Sequence, residues 1–98
     1  MIDIIREQVP QEELLAQLAE EAIELAHAAL KLRRAYGDAN PTPVTRQVAF
    51  SNLKEELADV QLLATVLGLD TIVYRLERER IMEAKATRWL NRLKEVSL

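Results

Sequence analysis

The sequence predicts an all-α protein, an antiparallel bundle of three to four helices completed by oligomerisation. Apolar residues recur at alternating spacings of three and four through three long stretches, the signature of a helix with one buried stripe. Helix breakers are scarce, two Gly and three Pro in 98 residues, and most of them fall between those stretches. Nothing in the chain supports strands.

Residues 2–8, with Ile2, Ile4 and Ile5, suit a short helical arm. The first long helix should begin near Pro10, whose fixed φ suits a first helical position. Glu12 and Glu13 then complement its positive end, and Lys31, Arg33 and Arg34 its negative end. It should run to about Tyr36 and stop at Gly37. The segment 37–43 (GDANPTP) reads as a loop. A second long helix, capped by Thr42 or Thr45, should end around Leu67 and Gly68. Asp70 is then expected to cap a third, reaching toward Val96, with a possible break in the charged stretch 77–80. The predicted seams are Leu15, Leu18, Ala22, Leu25, Ala29 and Leu32; then Leu53, Leu57, Val60, Ala64 and Leu67; then Met82, Ala86, Trp89, Leu93 and Val96. Short connections between such seams favour antiparallel packing.

By length, residues 1–98 form a single domain. A chain this short buries a modest share of its surface, so leftover apolar stripes are expected to meet a second copy, in a dimer or tetramer. Cysteine is absent, which excludes disulfides and thiolate metal sites. No apolar run approaches the roughly 20 residues of a membrane span, and the first residues lack the order of a signal peptide. A cytoplasmic protein with no membrane partner is the expectation. The net charge of −3 disfavours broad nucleic-acid binding, which needs a basic face.

The chemistry-bearing residues are acidic. On a wheel of 100° per residue, Glu21 borders the first seam and Glu24 lies one step further out; Glu56 and Asp59 take the same two places on the second helix. If the seams face each other, four carboxylates converge at one level. Such a cluster needs protons or cations to neutralise it, and oxygen ligands select hard ions such as magnesium, manganese or calcium. A single E-x-x-E on a helix is usually a solvated face. Two at matching positions on consecutive helices are much rarer, and favour a site.

Glu20 and Glu55 point further from the seam and read as surface charges or outer supports of the site. Glu24-x-x-His27 has the spacing used by di-iron bundles, but the chain holds no second histidine, and His27 reads as solvated. Trp89 continues a core seam. Lys54, Lys85, Arg88 and Arg92 are the cations that would reach phosphates if the third helix packs beside the acidic site. Arg75, Arg78 and Arg80 alternate with Glu77 and Glu79 as solvated faces do.

The run Glu20-Glu21-Ala22-Ile23-Glu24, followed by Glu56-Leu57-Ala58-Asp59, resembles the E-E-x-x-E … E-x-x-D signature of the MazG-like all-α nucleoside-triphosphate pyrophosphohydrolases. Asn52–Val60 is similar to that family's second-motif helix, and Lys85-Ala86-Thr87-Arg88 to a basic stretch late in its chains. The resemblance spans roughly residues 11–95. It implies Glu21, Glu24, Glu56 and Asp59 as ligands of Mg²⁺, with Mn²⁺ a possible substitute. It implies hydrolysis of a nucleoside triphosphate to monophosphate and pyrophosphate, with Glu20 or Glu24 orienting the water and Lys54, Lys85 and Arg88 holding phosphates. It also implies oligomers whose sites draw on more than one chain. The connection between the two motifs is long for the family, because of residues 40–43 (NPTP), which leaves the substrate open. The competing readings are a non-enzymatic helical interaction module with solvated acidic faces, and a di-metal redox bundle.

Overall fold

A computed structural model describes residues 1–37 and 43–97. Among them are four helices and no strand: α1 (Ile2–Gln8), α2 (Gln11–Tyr36), α3 (Arg46–Val66) and α4 (Ile72–Ser97). The all-α expectation therefore holds, including the short arm. Most of the proposed 37–43 loop, and with it Thr42, lies outside the described residues. The chain divides into two compact units, Met1–Gly68 and Leu69–Leu98.

In the first unit α2 and α3 form an antiparallel hairpin. Leu14, from the start of α2, packs with Leu63 and Val66 from the end of α3, joined by Ile2, Val9, Leu18 and Leu67. Pro10 stands just before α2 at φ −58° rather than in its first turn. Thr45 caps α3, its hydroxyl accepting from the Val48 N–H at 3.2 Å. Gly68 then turns the chain at φ +77°, where a side chain would be strained.

Two arginines donate to backbone carbonyls at the C-terminal ends of the long helices. Arg46 donates to the carbonyls of Ala35 (3.1 Å) and Tyr36 (3.4 Å) at the end of α2, and its guanidinium lies 4.6 Å from the Tyr36 ring centre. Arg6 of α1 donates to Val66 (2.8 Å) and Thr65 (3.2 Å) at the end of α3. Each guanidinium also sits at the negative end of a helix dipole.

The seam keeps Leu18, Leu25, Leu32, Leu53, Val60, Ala64 and Leu67 as predicted and departs by one residue at the positions between them. On α2 the covered positions are Leu14, Leu18, Glu21, Leu25, Ala28 and Leu32, whereas Leu15, Ala22 and Ala29 are exposed. On α3 and its C-terminal cap they include Ala49, Leu53, Glu56, Val60, Leu63 and Leu67, while Leu57 is exposed. Leu15 and Leu14 are equally apolar, so composition alone did not choose between adjacent registers. The consequence is chemical: Glu21 and Glu56 lie within the seam, not at its border.

In the second unit α4 is continuous through residues 77–80, where a break was expected. Asp70 does not cap it. Thr71 does, its hydroxyl accepting from the Tyr74 N–H at 3.3 Å. Asp70 instead takes both Arg75, at 3.0 and 3.2 Å, and Arg78 at 3.3 Å. The two guanidiniums drew the carboxylate away from the helix end, and their hydrogen bonds hold its pKa below the ordinary 3.8.

Candidate functional site

Halfway along the hairpin, α2 and α3 present the same local sequence to each other. Leu18, Glu21 and Leu25 on one helix match Leu53, Glu56 and Val60 on the other, each glutamate flanked by apolar seam neighbours. Carboxylate oxygens of Glu21, Glu24 and Glu56 all lie within 4.8 Å of one another. Glu21 and Glu56 are half-buried, and Glu24 is exposed at the flank. The Oε2 atoms of Glu21 and Glu56 are sealed from solvent and have no hydrogen-bond partner.

Both buried carboxyls hold their protons more tightly than usual. For Glu21 the chief cause is burial, followed by the closeness of the Glu24 carboxylate, then the charges of Asp59 and Glu56. For Glu56 burial again leads, followed by Glu24, Asp59 and, weakest, Glu55. Asp59 thus acts electrically on both, although its oxygens stand outside the tight cluster.

Beside the cluster lies a cavity of about 220 Å³, lined by Glu24, His27, Ala28 and Lys31 of α2 and by Ala49, Asn52, Glu55 and Glu56 of α3. Its origin is in the seam. At one end the hairpin is filled by Leu14 against Leu63; at this end Ala28 and Ala49 take the covered positions, and their short side chains leave space.

Three of the four expected metal ligands thus converge, with the fourth close by. Glu20 is exposed and outside the cluster. Lys54 lies over the Phe50 ring, 5.0 Å from its centre, and does not line the cavity. Lys85 and Arg88 line an exposed groove of α4 with Met82, Ala86, Trp89 and Arg92. His27, read as solvated, is exposed but lines the cavity, as does Lys31. The signal that would have found them is the seam register. Once Ala28 rather than Ala29 is the covered residue, Glu24, His27 and Lys31 share its side of the helix.

The donor set suits a hard divalent cation: all oxygen, no sulfur, and two buried oxygens lacking any other partner. Comparison with known proteins gave no matching family model, no matching curated protein and no matching solved structure.

Proposed function

We propose that the chain is a magnesium-dependent nucleoside-triphosphate pyrophosphohydrolase, hydrolysing its substrate to a monophosphate and pyrophosphate. The observation that carries this reading is the pair of partnerless buried oxygens on Glu21 and Glu56, with a Glu24 oxygen within 4.8 Å of their carboxylates. Burying like charges without partners is costly, and a cation is the economical way to stabilise them. The MazG-like sequence resemblance supplies the reaction class for that cation.

In this reading Glu21, Glu24 and Glu56 hold the ion and Asp59 completes the negative field that draws it in. Bound magnesium, or manganese in its place, stabilises phosphoryl charge and acidifies water. Glu24, the exposed member, is the carboxylate able to orient an attacking water while also facing the ion. Glu20 lies outside the cluster and is left with a supporting electrostatic role. The exposed apolar residues of α4 support self-association as a homo-oligomer.

Pyrophosphate release over a panel of canonical and modified triphosphates, with magnesium or with chelator, tests the reading. Magnesium-dependent turnover of at least one, lost in Glu21→Gln and Glu56→Gln, is expected. No turnover of any, and no magnesium binding, would leave the non-enzymatic helical module.

A further inference from the structure

The cavity beside the carboxylates is the least explained feature of the hairpin. Six of its eight lining residues are polar or charged, and the two others are alanines. No Phe, Tyr or Trp lines it and its one ring is the polar His27 imidazole, so it lacks the broad apolar wall on which a base would stack. Its 220 Å³ also falls short of the ~300–1,000 Å³ of pockets that enclose whole ligands of nucleotide size. It fits a part of such a ligand, and a polar part.

Its donors are uncommitted. Among the described residues, the side chains of His27, Lys31 and Asn52 make no hydrogen bond or ion pair with the protein. Glu24, His27, Ala28 and Lys31 follow one another at i, i+3, i+4 and i+7, a single face of α2. Helical side chains lean toward the N-terminus, which brings the Lys31 stem back toward His27 and Glu24. Asn52 adds an amide from the facing α3. Three donors from two helices thus line the same space as Glu24 and Glu56 of the carboxylate cluster.

We propose that this cavity is a polyphosphate subsite, with Lys31, His27 and Asn52 gripping the phosphates and Ala28 and Ala49 making the room. The choice of ligand class rests on the pyrophosphohydrolase reading above. Because Glu24, Glu55 and Glu56 also line the cavity, an anion enters only with a divalent cation that offsets their charge. The phosphate grip thereby rests on residues of α2 and α3.

Titration calorimetry with inorganic tripolyphosphate tests this without requiring turnover. The wild-type chain should bind it with magnesium present and not with chelator. Lys31→Ala and Asn52→Ala should each weaken binding about tenfold, equivalent to ~1.4 kcal/mol, His27→Ala should weaken it less, and affinity for magnesium alone should hold. Ala49→Leu should block the cavity, and Arg33→Ala, which removes an exposed cation of the same helix, should change nothing. Absence of binding by the wild type, or wild-type affinity in both Lys31→Ala and Asn52→Ala, overturns the subsite. Nucleotide hydrolysis with unchanged KM in those variants also overturns it while leaving the pyrophosphohydrolase intact. Magnesium-dependent tripolyphosphate binding that the variants weaken, in a chain that hydrolyses no nucleotide, upholds the subsite and removes that function.

Discussion

Glu21 and Glu56 stand opposite each other across the α2–α3 seam, each with its Oε2 atom shut away from water and without a hydrogen-bond partner. Every other covered seam position described above is apolar. Two acids in that place weaken the hairpin unless a cation or a proton joins them.

The first prediction follows from that cost. Without metal, Glu21→Gln and Glu56→Gln should each raise the melting temperature, since each removes a charge that burial and its neighbours disfavour. With magnesium the order should reverse, because a ligand bound only by the folded state stabilises the wild type most. Thermal melts in chelator and in magnesium decide it. Wild-type melting in both variants under both conditions would make the pair inert.

The pH dependence has a definite sign. Both carboxyls keep their protons above the ordinary 4.5 in the folded chain, so between that value and their raised pKa values the folded state binds more protons than the unfolded one. Stability then falls as pH rises through this window and levels off above it. Asp70 acts oppositely and lower: its pKa lies below 3.8, so its contribution is present above that value and is lost as pH falls through the depressed pKa. Metal-free melts from pH 4 to 8 should decline with rising pH in the wild type and flatten in the Glu21→Gln, Glu56→Gln double variant. A wild-type curve flat across that range contradicts the burial argument.

Much of this was legible in sequence because it rests on local rules. Pro10, Gly37, Thr45 and Gly68 mark helix boundaries through their own backbone preferences, and the two acidic motifs announce themselves by repetition. What escaped was set by partners distant in sequence. Leu14 rather than Leu15 faces inward because of where Leu63 and Val66 stand, 49 and 52 residues on. Asp70 left the cap because Arg75 and Arg78 competed for it, and Arg6 found the carbonyls of Thr65 and Val66 at the far end of the hairpin. The shifted register also hid the cavity, since it set Ala29 rather than Ala28 in the covered position whose short side chain leaves that space.

That register gives the third prediction. Leu14→Ala should cost about 3 kcal/mol, within the usual range for a large-to-small core change, because Leu14 is only 3% exposed and touches the Leu63–Val66 cluster. Leu15→Ala, at 51% exposure, should cost under about 1 kcal/mol. Urea unfolding of the two variants compares them directly, and equal losses would return the seam to the register read from sequence.

Arg6 gives the fourth. Its guanidinium joins α1 to the last carbonyls of α3 at 2.8 and 3.2 Å, and also lies 3.5 Å from Asp3 on its own helix. Arg6→Ala should cost about 1 kcal/mol, the net worth of a partly exposed hydrogen-bonded contact. Arg6→Lys should recover little, since one ammonium cannot reproduce the two directed N–H groups. Amide exchange localises the effect: faster exchange through residues 2–8 is expected, with the acidic centre of the hairpin unchanged. Uniform acceleration across α2 and α3 would mean that α1 is integral to the core and not a docked arm.

The last prediction concerns α4. This helix of 26 residues has no buried side chain among those described, yet it carries Ile72, Met82, Trp89 and Val96. Helices in proteins draw most of their stability from packing an apolar face. An exposed apolar stripe on so small a chain is the usual mark of a surface that meets another protein. Trp89, 62% exposed, is the single tryptophan and reports on that stripe alone. Its emission should shift to the blue as concentration rises from nanomolar to micromolar, in step with a rise in sedimentation coefficient. Trp89→Ala should move the association midpoint at least tenfold upward, and Glu79→Gln, a change among exposed charges of the same helix, should leave it in place. A constant sedimentation coefficient over that range, with Trp89 emission remaining that of a solvated indole, would refute self-association through α4.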